Sequence, residues 1–174
     1  PVPVVNIERL ENRLGGAANV ALNIIALNAQ PILCSVIGMD KEGDDYLKIM
    51  VEKGLDTSGI VRSAGRKTTT KTRILGNQHQ LLRLDNEVTH DLSHEENLSL
   101  IEAYKSHIAS CDVVILEDYN KGVLNEKNIS EFISIAKQYK KPVTVDPKLK
   151  NFLAYKGVTL FKPNLKEIKE GLKT

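Results

Sequence analysis

The apolar positions of this chain follow two patterns, and the boundary between them divides the sequence. From residue 93 onward the spacing is that of alternating helices and strands. Ser93 and Glu96 have the Ser-x-x-Glu spacing of a capping box that opens a helix. Leu98, Ile101, Tyr104 and Ile108 then recur at helical intervals. Val113-Val114-Ile115-Leu116 is a short apolar run, the pattern of a strand buried on both faces. Ile129, Phe132, Ile133 and Ala136 mark a second amphipathic helix, ended at Lys141-Pro142. Val143-Thr144-Val145 and Val158-Thr159-Leu160-Phe161 predict two further strands, and Leu165, Ile168 and Leu172 begin another helix. Strands alternating with helices imply βαβ units and a parallel sheet.

The first half begins in the same way. An Ala-, Leu- and Ile-rich helix over 17–29 leads to a strand over 32–37 and a helix over about 43–53. The pattern then changes. Residues 68–75 and 80–84 are β-rich runs around Gly76-Asn77, a hairpin signal. With a strand over residues 1–8 they predict a small second sheet, a lid on an α/β body of residues 15–60 and 90–174. A sheet that small is marginal alone. Its exposed edges call for cover by ligand or by a second chain, so a homodimer through the lid is expected.

Composition narrows the class. The chain has 174 residues, 41% apolar and 26% charged, as expected of one ordinary globular domain. Lys and Arg number 24 against 22 Asp and Glu, a formal charge of +2, which argues against a nucleic-acid binder. No apolar run approaches the roughly 18 residues of a membrane span, and no signal-peptide pattern opens the chain, so a cytoplasmic protein is expected. Cys34 and Cys111 lie far apart and read as buried thiols rather than a disulfide. His79, His90, His94 and His107 lack metal-ligand spacing, although His79 at the hairpin turn is a candidate substrate contact. No G-x-S-x-G, Cys–His pairing signal or G-x-G-x-x-G after a strand is present, which weakens hydrolase and dinucleotide-enzyme readings. The chain opens without Met directly into a strand pattern and stops just after a helix pattern begins. Both ends therefore read as cut, and a fragment is expected.

Candidate chemistry lies in two places. Gly15-Gly16-Ala17-Ala18-Asn19 puts two glycines, unsatisfied helix-start amides and an Asn amide together, a neutral floor suited to a sugar. The same residues also read as a tight turn into a core helix. In open α/β sheets ligands bind at the carboxyl ends of strands. Those ends carry Glu117-Asp118-Tyr119-Asn120-Lys121-Gly122, Asp146-Pro147-Lys148 and Lys162-Pro163-Asn164-Leu165-Lys166-Glu167. Lysines there answer phosphate charge, and carboxylates with amide oxygens suit Mg²⁺. Singly, Asp118, Asp146 and Asn164 also read as helix N-caps, and Lys121 and Lys148 as solvated surface groups.

These motifs resemble the ribokinase-like (PfkB) carbohydrate kinases. The resemblance rests on Pro1-Val2-Pro3-Val4-Val5, Gly15-Gly16-Ala17-Ala18-Asn19-Val20-Ala21, Thr70-Lys71-Thr72-Arg73, Gln80-Leu81-Leu82-Arg83-Leu84-Asp85, Asp118-Tyr119-Asn120-Lys121-Gly122, Asp146-Pro147-Lys148 and Pro163-Asn164-Leu165-Lys166-Glu167. The Asp-Tyr-x-Lys-Gly, Asp-Pro-Lys and Arg-Leu-Asp elements make it most similar to the heptose-7-phosphate kinases that form half of a bifunctional kinase/adenylyltransferase. The resemblance implies a three-layer α/β sandwich with a mostly parallel central sheet and a small β lid. It implies ATP- and Mg²⁺-dependent phosphorylation of D-glycero-D-manno-heptose 7-phosphate at its anomeric hydroxyl, in lipopolysaccharide precursor synthesis. Gly15, Gly16 and Asn19 would line the sugar pocket, and Lys71, Arg73 and Arg83 would hold the substrate's phosphate. Asp118, Lys121, Asp146 and Lys148 would line the transfer channel, the first two toward substrate and the second two toward nucleotide. Leu165 and Lys166 would border ATP, with Asn164 and Glu167 organising Mg²⁺. Two family elements are not found: an opening Gly-Asp strand and the late Gly-Ala-Gly-Asp that supplies the anion hole and the catalytic base. That base is expected beyond Thr174, so no residue of the chain is assigned as catalytic, and the 174 residues alone are expected to be inactive. A kinase for ribose, fructose or an aldonic acid, or a non-catalytic sugar-phosphate-binding module, fits the same motifs.

Overall fold

A computed structural model of the protein describes residue 4 and residues 6–76 and 79–172. Helix α1 (Ala17–Ala26) is followed by strand β1 (Ser35–Gly38), helix α2 (Lys41–Glu52) and strand β2 (Ile60–Ser63). Strands β1 and β2 pair in parallel, Ser35 against Ile60 through Gly38 against Ser63. The hairpin β3 (Thr70–Gly76) and β4 (His79–Asn86) comes next. Helix α3 (His94–Ile108), strand β5 (Val114–Glu117), helix α4 (Glu126–Gln138) and strand β6 (Val143–Asp146) include a βαβ unit. A 3₁₀ turn (Leu149–Asn151), strand β7 (Leu160–Phe161) and helix α5 (Leu165–Leu172) complete the order. Strands β5, β6 and β7 form one parallel sheet with β6 central.

One apolar core joins the two parallel pieces. Val36 of β1 is buried with Leu100, Ile101, Tyr104 and Ile108 of α3, Val114 and Leu116 of β5, and Ile129, Phe132 and Ile133 of α4. Tyr104 meets Phe132 edge to face, centroids 4.9 Å apart, and its hydroxyl donates to the Phe132 carbonyl at 3.2 Å. The predicted Ser93–Glu96 capping box is present, and Asn125 and Asn128 cap α4 in the same reciprocal way. A second cluster, Leu14, Ala18, Ala21, Met50 and Leu55, seats α1 against α2.

Several expectations are corrected. Val4 and Asn6–Glu8 are exposed and form no strand, and the rest of the expected strand over 1–8 lies outside the described residues. Strand β2 follows a Gly-Leu-Asp-Thr-Ser-Gly loop and carries Arg62, so its short apolar stretch hid it. Strand β5 is not buried on both faces: Val114 and Leu116 face the core while Ile115 is 41% exposed. In α3 the buried stripe runs through Leu100, Ile101, Tyr104 and Ile108, and Leu98 faces solvent. Gly76 pairs with His79, and Asn77 of the expected Gly76-Asn77 turn lies outside the described residues. Cys34 and Cys111 are free and only half-buried. At the other end the described residues stop at Leu172. Thr174, beyond which the catalytic base is expected, lies outside them.

The hairpin is bolted to the body at its base. Asp40 caps α2 by accepting from Gly43 N at 2.8 Å, and it also accepts from the Thr68 amide at 2.8 Å and the Thr68 hydroxyl at 2.6 Å. Gly38 N donates to the same hydroxyl at 2.9 Å. The end of β1, the start of α2 and the entry to β3 therefore share one polar knot.

Candidate functional site

The floor of the cleft is the start of α1. Gly16 is its N-cap, with φ 55° and ψ −136°, and no side chain satisfies the first-turn amides. A Cβ on Gly16 would sit 3.7 Å from the Tyr119 ring, and one on Gly15 would meet nothing within 4 Å. Asn19 is exposed one turn into the helix. The open amides lie beside the Tyr119 ring, with the exposed Asn19 one turn on, residue types that suit a polyhydroxylated ligand.

Beside it runs the loop after β5. Asp118 is 2% exposed. Its Oδ1 accepts from Asn120 N at 2.7 Å, and its Oδ2 accepts from Asn151 Nδ2 at 2.9 Å and the Tyr155 hydroxyl at 2.7 Å. Burial and the Asp118 charge push the Tyr155 hydroxyl far above its ordinary pKa, so it remains a donor. Asp118 ties the loop to the 3₁₀ turn at Asn151 and to the segment carrying Tyr155. Gly122 has φ +75°, and a Cβ there would collide with the His90 carbonyl. Buried Arg66 donates to the His90 carbonyl at 3.0 Å and to the Lys121 carbonyl at 2.7 Å. Lys121 is therefore presented from a fixed backbone.

The hairpin faces this loop with cations. Lys71 pairs in register with Asp85, and Arg73 with Arg83. Lys71 and Arg73 share a strand face, as the spacing of two requires. Two arginines directly opposite in an antiparallel pair repel. Arg83 Nε donates to Asp85 at 2.9 Å, while Arg73 pairs with no carboxylate among the described residues. Lys71 Nζ donates to Asp85 at 2.9 Å and to Glu87 at 2.8 Å, and Lys121 Nζ donates to Glu87 at 2.5 Å. Lys71 is raised above its ordinary pKa by Glu87 and then Asp85, and Glu87 is lowered by Lys121 and then Lys71.

The ends of β5, β6 and β7 form the other wall. Asp146 lies 3.4 Å from Lys148 and 3.1 Å from Lys162, and Lys148 also pairs with Glu167. Glu167 Oε2 accepts from Asn164 N at 2.8 Å, and Asn164 Oδ1 accepts from Glu167 N at 2.9 Å, a capping box that opens α5. Burial pushes Glu167 up, but Lys148 and the Asn164 amide outweigh it and hold the carboxyl below its usual range. Burial likewise opposes the charge of Lys148, and Glu167 and Asp146 outweigh it upward. Glu117, in register with Asp146, is raised, first by burial and then by Asp146. Leu165 and Lys166 are exposed beside them. No group of three metal-ligating side chains converges among the described residues. The oxygen donors of Asn164 and Glu167 instead suit a Mg²⁺ that keeps most of its coordination to phosphates and water.

Reading the sequence did not single out Glu87, Arg66, Asn151 or Tyr155. Glu87 had a signal: Arg83, Asp85 and Glu87 alternate, so all three share one face. Arg66 and the Asp118 partners lie 33 or more residues from the groups they hold, or bind backbone carbonyls, and leave no local pattern.

Comparison with known proteins adds three findings. The family profile for pfkB family carbohydrate kinases matches residues 1–173. The bifunctional protein HldE of Wolinella succinogenes is 41% identical over 170 residues, covering 98% of this chain and 36% of that protein. HldE of Helicobacter pylori is 40% identical over 172 residues, 99% of this chain and 37% of the relative. The chain thus spans little more than a third of the length of these curated relatives. A PfkB protein from Polaromonas superposes with a TM-score of 0.70 at 17% identity, over 100% of this chain and 63% of that one. Phosphofructokinase-2 from Escherichia coli in complex with fructose-6-phosphate gives 0.65 at 16% identity, over 91% and 52%. The shared fold is the ribokinase-like α/β arrangement, and among the described residues no helix is long and apolar enough to cross a membrane.

Proposed function

Because the chain belongs to the pfkB family of carbohydrate kinases, we propose that it forms the acceptor- and nucleotide-phosphate-binding part of a heptose-7-phosphate kinase. The reaction is ATP-dependent phosphorylation of D-glycero-D-manno-heptose 7-phosphate at the anomeric hydroxyl, a cytoplasmic step toward lipopolysaccharide core precursors. The carrying observation is the hairpin face on which Lys71, Arg73 and Arg83 converge with Lys121 of the body. Four cations on the hairpin and the loop facing it call for an acceptor that already bears a phosphate. The HldE relatives support the heptose.

Phosphoryl transfer is chiefly positioning and charge stabilisation. Gly15, Gly16 and Asn19 orient the sugar ring against Tyr119, and Lys71, Arg73, Arg83 and Lys121 hold its phosphate. Asp118 positions the loop that carries Lys121. Lys148, with Asp146, Leu165 and Lys166 around it, receives the nucleotide phosphates, and Glu167 and Asn164 hold their Mg²⁺. When bound, Mg²⁺ neutralises charge on the phosphates undergoing transfer. The hairpin's other face carries Leu82 and Leu84, both about half exposed, which suits pairing with a second copy.

Calorimetry on the intact protein tests the reading. Heptose 7-phosphate is expected to bind at least tenfold tighter than unphosphorylated heptose, ribose or fructose 6-phosphate. Arg83→Leu is expected to erase most of that margin and to leave ATP binding within about twofold. Equal affinity for the phosphorylated and unphosphorylated heptose would overturn it.

A further inference from the structure

Glu87 follows β4 directly, on the face shared by Arg83 and Asp85. Its side chain is 19% exposed, and its two carboxylate oxygens serve different elements. Oε2 accepts from Lys71 on the hairpin and Oε1 from Lys121 on the body. Two ammonium groups from separate parts of the fold are drawn onto one carboxylate, as they would be onto a bound anion. Lys71, Arg73, Arg83 and Lys121 supply four positive charges, and Asp85 and Glu87 supply two negative ones, an excess of two. A phosphomonoester at neutral pH carries nearly two negative charges.

We propose that Glu87 is a specificity-determining residue of the acceptor-phosphate site: a resident anion that keeps Lys71 and Lys121 converged and trims the site's charge to match a phosphate dianion. This rests on reading the hairpin face as the acceptor-phosphate site. The mutual pKa shifts of Lys71 and Glu87 agree with it, since each stabilises the charged form of the other. Glu87 is not consumed in any step. It acts through the two lysines and through its own repulsion of an arriving anion. A carboxylate that only latched the hairpin to the body would alter stability but not the preference among anions.

The test uses inorganic phosphate and heptose 7-phosphate as probes, titrated into the intact protein at pH 7.5 and low salt. Glu87→Gln keeps the shape and removes the charge. It is expected to bind inorganic phosphate about fivefold tighter than the parent, with a steeper loss of affinity as salt rises. Glu87→Asp is expected to restore the parent's affinity. Unchanged or weaker phosphate binding in Glu87→Gln overturns the proposal, as does undetectable phosphate binding in both proteins. If Glu87→Gln does not fold, Lys121→Met replaces it, with about fivefold weaker phosphate binding expected and no weakening counting against the proposal. Inorganic phosphate reports on Glu87 whatever the sugar. A parent protein that binds phosphate but does not favour heptose 7-phosphate therefore defeats the functional reading and leaves the role of Glu87 standing.

Discussion

On the β3–β4 hairpin and the loop facing it, Lys71, Arg73, Arg83 and Lys121 outnumber Asp85 and Glu87. At the ends of β5, β6 and β7, Glu117, Asp146, Glu167 and Glu170 outnumber Lys148, Lys162 and Lys166. The first wall has a surplus of cations and the second a surplus of carboxylates. On the proposed function, a sugar phosphate arrives at the first wall without a metal, so the protein must supply the positive charge. A nucleotide arrives with Mg²⁺, and carboxylates can share that cation while a lysine meets the remaining phosphate charge. The walls also differ in support. Every position of β4 is exposed, and exposed ion pairs contribute only about 0–1 kcal/mol each. The strand ends stand on buried Val114, Leu116, Val143 and Val145. The hairpin wall thus has the weaker apolar support, and the strand-end wall the stronger.

The largest expected effect is at Asp118, where the two walls meet. It follows Glu117 of the strand-end wall and opens the loop carrying Lys121 of the hairpin wall. Asp118→Ala strands the Asn120 amide and the buried Tyr155 hydroxyl without an acceptor, and leaves the Asn151 amide only the Leu124 carbonyl. A loss of about 3 kcal/mol of stability is expected, read from urea denaturation. Both heptose phosphate and ATP should then bind more weakly. If stability is unchanged and only the sugar phosphate is affected, Asp118 belongs to the hairpin wall as a ligand contact.

The difference in support also explains how much of each wall was legible in the sequence. The strand-end wall follows from local patterns: short apolar runs mark β5, β6 and β7, and the residues after each run are the ones that converge. The Asn-x-x-Glu spacing was legible as well, and in the fold Asn164 and Glu167 cap α5 reciprocally. The hairpin was recognisable from its two β-rich runs. Its ties to the body were not: Arg66 to Lys121, Asp40 to Thr68 and Glu87 to Lys121 each cross 28 or more residues. Period and propensity carry no information across such separations, because the partners are chosen by the fold. The exposed side of β5 was missed for a related reason: an apolar run shows that a strand can be buried on both faces, not that both are covered.

A smaller effect separates the walls at Glu167. Gln serves in a capping box as well as Glu does, so Glu167→Gln should keep the opening of α5 and lower the melting temperature at neutral pH only by the loss of the Lys148 pair. What it removes is the charge beside Lys148. ATP binding in Mg²⁺ is expected to weaken about tenfold, ~1.4 kcal/mol, with heptose 7-phosphate affinity within about twofold of the parent. Calorimetry with each ligand alone decides it. Equal weakening of both ligands would break the division into two walls.

The smallest effect concerns protons, and here the walls have opposite signs. Glu87 on the hairpin side is held below its ordinary 4.5, so its contribution to stability is present above that pH and is lost as pH falls through the lowered folded value. Glu117 is raised above 4.5 by burial and by Asp146. Its folded form binds a proton more tightly than the unfolded chain does. Its ionisation therefore costs nothing well below pH 4.5, costs progressively more through the window up to its raised folded value, and costs a constant amount above that. Glu117→Gln removes this cost. The melting temperature at pH 7.5 should rise by about 1–2 °C, and at pH 4 it should barely move. A fall at pH 7.5 would mean that Lys148 and Lys162 hold the Glu117 charge more firmly than burial and Asp146 oppose it. The strand-end wall would then have no surplus of strained carboxylate to offer a metal.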